Sequence, residues 1–457
     1  MQKQYLPLLG VLVGGALVFA VLMSLEGPSV PAPIADQPTG VAEPAAAVPT
    51  APKAAAEVVS TAAPVVAAAV APVGSPPAAI PAANTAQQKG EIGLFFTSNT
   101  LGELIDCGCR QNPLGGLARR VQWINDRRAK FDAALVVDTG GMLVADPVGW
   151  SEDATQLEAR AELYFAAFEA NAAAGVNVGA HELALPAKTL QAIAKRHNVA
   201  LLSANLRAGD APAFTESRIV TLAGQKFGLF GLVTADIPNA DKLLKAHGLH
   251  VEAPLAAAKR VAAELRKQGA TMVIALGQLR QEEIDDLGEK VPDVDLVLGS
   301  WEMDLTQRPI SLGRGFHLDP YNKGKWIGEV RVRPAMAAAT TTQWYAPDLR
   351  DKLSYEQGSL QRQIAYYIEQ FAKEDAAGAT KTMTADERKF ATERQVMLRA
   401  KLARVNLELK GDIDPPNGAG ALLVQMTAVR VELPEDLGVK ALVDKHHARW
   451  PPPAVQH

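Results

Sequence analysis

Residues 91–124, EIGLFFTSNTLGELIDCGCRQNPLGGLARRVQWI, constrain the fold of this chain more than any other stretch. Residues 92–96 are an apolar run long enough for a buried strand and too short for a helix. A polar, Gly-containing loop over residues 97–116 follows, and it holds both cysteines of the sequence, Cys107 and Cys109. Gly115 and Gly116 then open a helix in which Leu117, Val121 and Ile124 recur three and four apart on one face. Strand, loop and helix make the opening unit of an α/β sheet. In such sheets the loops at the carboxyl ends of the strands carry the site, so the cysteines stand where chemistry is expected.

The same alternation continues downstream. Residues 134–137 read as a strand ending in Asp138-Thr-Gly-Gly. Residues 151–174 read as a helix with Ser151 as N-cap and Gly175 as stop. Strands follow at 176–178, 200–203, 227–232, 272–276 and 296–298. Helices stand at 185–197 and 254–268, the second with Pro254 in its first turn and Gly269 past its end. The strand at 326–332 is expected to close the layer. Strands alternating with helices predict a sheet covered on both faces, an α/β fold.

The two ends differ in character. Residues 6–25 are uninterrupted and apolar, preceded by Lys3 and followed by Glu26. That length fits a membrane span, and the leading positive charge predicts a cytoplasmic N-terminus with the rest exported. We therefore expect a signal anchor over residues 1–27, a single pass through the inner membrane and a periplasmic or extracytoplasmic body. Residues 28–88 are rich in Pro, Ala and Val and have no periodicity, the composition of a disordered spacer. Residues 347–376 and 384–410 are long, charged and apolar-striped, with a capping box at Thr384 and Glu387, and predict an αα-hairpin. A strand-like stretch at 422–431 and a helix at 436–446 finish the chain. A net charge of −4, with no basic tract, argues against a nucleic-acid partner.

The motif TSNTLGE followed by PLGGLARR resembles the first motif of the calcineurin-like metallophosphoesterases, in the branch that contains the periplasmic 5'-nucleotidases. The Cys-Gly-Cys variant resembles a subgroup often fused to multihaem cytochromes. LLSANL, VIALGQL, VDLVLGSWEMD and NKGKWIGEVRV resemble further motifs in the same order. The resemblance covers about residues 91–332 and implies a four-layer β-sandwich flanked by helices. The domains are then 89–335, metallophosphoesterase-like, and 336–457, a helical hairpin with a strand and helix tail.

The resemblance also implies a two-metal site whose ligands come from five strand-end loops, and this sequence departs from it. Asn99 stands for the first Asp, Leu101 for the first His, Gly141 for the bridging Asp and Ala180 for an Asn. Gln278, Ser300 and Glu302 stand for three His residues. Neutral amides are weak ligands for a divalent ion, and Leu, Gly and Ala are none. His181, which matches the family residue that acts on the phosphate, becomes vestigial or a buried core histidine. Asp138 is expected to tie loops together. Gly115, Gly116, Arg119 and Arg120 either hold an anion at the helix N-terminus or form a tight loop with a solvated basic turn. Cys107 and Cys109 can join His181, Glu182 and Asp138 in a zinc-like site, form a strained redox-active disulfide, or shape the loop as inert thiols.

The expected function is a membrane-tethered, non-catalytic scaffold without a cofactor. Its hairpin is the arm for protein partners, and the resemblance adds a cytochrome setting. The rival expectation is a phosphoester hydrolase with a rebuilt site for Zn or another divalent metal.

Overall fold

The computed structural model describes residues 88–107, 113–147, 149, 152–238, 240–336, 343–377 and 383–452. The expected membrane span, nearly all of the Pro/Ala-rich spacer, and Cys109 lie outside them. Among the described residues no helix is long and apolar enough to cross a membrane.

The first half of the body runs β1 (Gln88–Thr97), α1 (Leu117–Arg128), β2 (Phe131–Asp138), α2 (Ala154–Ala170), β3 (Gly175–Asn177), α3 (Ala187–Arg196) and β4 (Leu201–Leu202). Short strands β5 (Leu206–Ala208) and β6 (Ala211–Pro212) lead to β7 (Ser217–Leu222) and β8 (Gln225–Val233). Then come α4 (Ala240–His247), β9 (His250–Val251), α5 (Pro254–Lys267), β10 (Met272–Gln278), α6 (Gln281–Lys290) and β11 (Leu296–Leu298). The chain continues through β12 (Ile310–Leu312), β13 (Gly315–Leu318), β14 (Trp326–Arg333) and β15 (Trp344–Tyr345). It ends with α7 (Leu349–Ala376), α8 (Ala385–Leu409), β16 (Gly420–Ala428) and α9 (Leu437–Arg449).

Two large sheets form. The first has the order β15-β16-β14-β1-β2-β3-β4, the second β12-β13-β11-β10-β8-β7. Their side chains sort by the two-residue period of a strand. Ile92, Leu94 and Phe96 from β1, Leu135 and Val137 from β2, and Met272, Ile274 and Leu276 from β10 share one core between the sheets. The alternate residues face outward. Phe95 and Val136 pack with Leu117, Val121 and Ile124 of α1 and with residues of α2, α3 and α9. Val273 and Ala275 pack with Ala258, Val261 and Leu265 of α5 and Ile284 and Leu287 of α6. The result is helix, sheet, sheet, helix, the four layers expected from the motifs.

Several boundaries differ from expectation. The helix expected from Ser151 begins at Ala154, because Asp153 caps it by accepting a hydrogen bond from Gln156 N at 2.8 Å. Gly175 does not stop that helix but opens β3 beside Val137. The strand expected to close the layer, β14, lies inside its sheet, paired with β1 on one side and β16 on the other. The chain after residue 336 thus returns to add two strands to the first sheet. Its hairpin helices also enter the inter-sheet core, through Leu349, Leu353, Leu360, Leu398 and Val405.

Candidate functional site

The carboxyl ends of β1, β2, β3, β10 and β11 bring the expected site residues together, and an amide network fills the space between them. Asn99 adopts a left-handed backbone (φ 46°), which Asn tolerates better than most residues. Its side-chain nitrogen donates to Ser300 O at 2.8 Å, and its side-chain oxygen accepts from Gln278 Nε2 at 2.9 Å. Asn99 and Gln278 are both fully buried. Two close approaches depend on glycine. A Cβ on Gly141 would collide with Asn99 Oδ1 and Gln278 Nε2, and one on Gly179 would collide with Gln278 Oε1.

Two buried carboxyls flank this network. Asp138 Oδ2 accepts from Thr97 Oγ1 at 2.5 Å, and Oδ1 accepts from Gly140 N at 2.8 Å. Burial pushes its carboxyl up to about 7, against the pull of those two bonds and of Arg120. The Ser300 hydroxyl donates to Asp319 Oδ2, and Tyr321 N donates to Oδ1 at 3.0 Å. Burial pushes Asp319 up to about 8. Arg120 is 3% exposed, and its Nε and Nη2 have no hydrogen-bond partner. Burial lowers its pKa, opposed by the fields of Tyr164 and Asp138. Arg120 is therefore a core cation beside Asp138, not a solvated one.

His181 and Glu182 sit in a short 3-10 helix, His181–Ala184. Glu182 ties two loops, accepting from Met142 N at 2.6 Å and Gly179 N at 2.8 Å. His181 Nδ1 lies 2.8 Å from Val144 O. A carbonyl only accepts, so Nδ1 carries the proton and Nε2 is left as a buried acceptor without a partner. Burial lowers the His181 pKa and keeps the ring neutral. The Trp301 ring lies 5.5 Å from it, and the Arg280 guanidinium stacks on Trp301 at 4.9 Å.

The four residues expected at an anion site do not converge. Gly115 N donates to Val429 O and Leu117 N to Leu104 O, so part of the helix N-terminus is already satisfied. Arg119 pairs with Glu435 at 3.1 Å and Asp106 at 3.8 Å, while Arg120 turns into the core. The Arg120 position was legible: residues 117, 120, 121 and 124 form one helical stripe. Asp319 and Trp301 carried a weaker signal, an acid at a strand end and an aromatic inside a strand-end motif.

Cys107 is half-buried in the loop, its N–H donating to Leu114 O at 2.9 Å and its sulfur accepting from Leu114 N at 3.5 Å. Among the described residues no group of three or more His, Cys, Asp or Glu is placed to hold a metal ion. At the positions where the motif resemblance expects ligands, Leu101, Gly141 and Ala180 offer no donor. Asn99 and Gln278 bond each other, and the Ser300 hydroxyl is spent on Asp319. Glu302 is exposed and pairs with Arg280 at 3.7 Å. Among the described residues, these side chains do not fit a pair of divalent ions.

Neither a family model nor a curated protein matches the chain. Solved structures do match it. A 5'-nucleotidase precursor from Thermus thermophilus superposes over 79% of this chain and 59% of its own, at 16% identity and a TM-score of 0.51. The sulfate thiohydrolase SoxB of the same organism, in complex with glycerol, matches over 79% of this chain and 61% of its own, at 14% identity and a TM-score of 0.53. The chain spans about three-fifths of the length of either. Its fold is the one these two structures share.

Proposed function

We propose that this protein is a non-catalytic scaffold on a metallophosphoesterase-like fold, tethered to the inner membrane by residues 6–25 and displayed outside it on the Pro/Ala-rich spacer. One observation carries this reading. The place of the bridging carboxylate is Gly141, and the Asn99–Gln278 hydrogen bond fills the space that a side chain there would need. In this reading the pocket is filled by two neutral amides, Asn99 and Gln278, that bond each other. A two-metal hydrolase needs both ions to clamp the attacking and leaving oxygens, and no donor set for them is present among the described residues. His181, neutral and bonded to Val144 O, keeps its place as a packed core histidine. The hairpin of α7 and α8 is the arm that meets protein partners, among which the motif resemblance favours cytochromes.

The test is turnover of a nucleoside monophosphate and of an activated aryl phosphate by the full-length chain with added Mn, Mg or Zn. We expect no turnover above that of His181→Ala. Metal-dependent turnover abolished by His181→Ala would overturn the scaffold reading. The tether is tested separately, by mass spectrometry of the membrane-extracted chain: an N-terminus near residues 29–35 would mean a cleaved signal.

A further inference from the structure

Helix α8 carries apolar residues on two opposite faces. On the inner face Leu398 and Val405 enter the core between the sheets, and Ala391 is buried on the same stripe. The outer face has no such cover. Val396, Ala400, Ala403 and Leu407 recur four, three and four apart, so they form one stripe turned away from Leu398 and Val405. Val396 is 62% exposed and Leu407 71%, and both alanines are exposed. Phe390 and Met397, seven apart and 69% and 43% exposed, make the neighbouring stripe. A helix that is apolar all round is normally buried on every side. Half of this one stands in water, and an apolar patch of that kind marks a surface that meets a protein or a membrane.

Charge decides between the two. Residues 388–407 hold six Lys or Arg and one acid, Glu393, a net charge of +5 in a chain whose total is −4. Most of these cations are not satisfied within the fold. Arg388 pairs with Asp375 at 3.0 Å, and Arg404 lies 3.8 Å from both Asp285 and Glu408. Lys389, Arg394, Arg399 and Lys401 are exposed and make no ion pair among the described residues. Arg399 and Arg404 stand three or four residues from the outer stripe, one on each side of it, and Lys389 lies within it. The stripe from Val396 to Leu407 is about 16 Å long and bordered by cations along its length. That is the build of a helix lying in the headgroup plane, its apolar residues below the phosphates and its cations level with them. A protein partner would have to supply acids along the whole helix, whereas anionic lipids offer a phosphate at every position.

We propose that the outer face of α8 docks on the surface of an anionic phospholipid bilayer. Val396, Leu407, Phe390 and Met397 enter the headgroup boundary, and the four unpaired cations meet lipid phosphates. Helix α7 keeps its own exposed stripe, Tyr355, Arg362 and Tyr366, for protein partners. The proposed tether brings the arm near a bilayer without orienting it, so tether and docking face can fail separately.

Reconstitution of the full-length chain into vesicles, with a photo-crosslinking benzophenone residue in place of Ala400, tests this. We expect lipid adducts in vesicles of equal parts phosphatidylcholine and phosphatidylglycerol. The yield should be at least about tenfold lower in phosphatidylcholine alone, and should fall likewise at about 1 M salt, where charges are screened beyond about 3 Å. Each cation near an anionic surface contributes about fivefold in binding. Lys389→Gln, Arg394→Gln, Arg399→Gln and Lys401→Gln combined should therefore lower the yield at least about tenfold, as should Val396→Ser with Leu407→Ser. All six side chains are exposed, so these variants are expected to keep the parent's thermal midpoint. The same benzophenone in place of Ala211, exposed on β6, should give no lipid adduct. Absence of lipid adducts at Ala400, an equal yield in phosphatidylcholine alone or at Ala211, an unchanged yield in the Gln variant, or adducts to a second copy of the chain in place of lipid would each overturn the proposal.

Discussion

Gln278 Nε2 donates to Asn99 Oδ1 across 2.9 Å, joining the end of β10 to the end of β1 through 179 positions of chain. Both groups are buried, so the bond replaces the water each side chain had in the unfolded chain and closes the pocket from two sides. Asn99 continues the link to Ser300 O and so to β11. The ends of β1, β10 and β11 are thus bridged by neutral hydrogen bonds.

A carboxylate introduced at Gly141 is therefore expected to harm the fold. Gly141→Asp places a Cβ against Asn99 and Gln278 at a positive φ of 78°. Overpacking costs about 1–3 kcal/mol, and the left-handed backbone adds about 1 kcal/mol. The urea midpoint should fall with an unchanged m-value. A variant as stable as the parent would mean that the Asn99–Gln278 bond yields easily.

The buried carboxyls predict a pH dependence. Asp138 titrates near 7 and Asp319 near 8 in the folded chain, against about 3.9 when unfolded. The folded state holds these protons more tightly than the unfolded state does. Their contribution is fully present below about pH 4 and is lost as pH rises through 7 and 8. Thermal midpoints should decline across that window, and Asp319→Asn should flatten the decline. A midpoint that rises steadily from pH 5 to pH 8 would contradict both assignments.

Much of this architecture is legible in the sequence because the strands are buried on both faces and appear as unbroken apolar runs. Residues 92–96 and 272–276 are such runs, and both lie in central strands. The pairing of β16 with β14 is not legible, because a run such as residues 422–431 specifies a strand without naming its neighbour. At the candidate site the donor-free side chains of Leu101, Gly141 and Ala180 could be read directly. The hydrogen bonds made around them could not. The Asn99–Gln278 contact is long-range, and Asp319 finds Ser300 only because β11 and β13 are adjacent in the sheet.

The hairpin arm should depend on its cap. Thr384 Oγ1 accepts from Glu387 N at 3.2 Å, and Glu387 Oε2 accepts from Thr384 N at 2.7 Å. Thr384→Ala should cost about 1 kcal/mol. The loss should appear as faster amide exchange in the first two turns of α8, with β1 and β10 unaffected. Unchanged exchange there would show that packing against α7 alone holds the helix start.

Arg308 holds the hairpin to the second sheet, and its removal should be the most damaging single change outside the core. Its Nε donates to Glu356 at 2.5 Å, and its Nη1 and Nη2 donate to the two oxygens of Glu408 at 2.9 and 3.2 Å. The Arg308 and Glu408 side chains are each 8% exposed. Taking two charges out of water is costly, and the bidentate geometry offsets that cost only while both partners remain. Arg308→Ala leaves Glu408 buried with only the Ser311 N–H and Arg404, 3.8 Å away and half in solvent, to answer it. A loss of about 3–5 kcal/mol is expected for such a broken pair. Replacing both residues by apolar ones of similar size removes the stranded charge, so Arg308→Met with Glu408→Leu should recover most of that loss. The two measurements separate a pair needed for stability from one that merely tolerates burial. If the double variant is as unstable as Arg308→Ala, the cost lies in lost packing between the hairpin and β12, and the stranded charge is not its source.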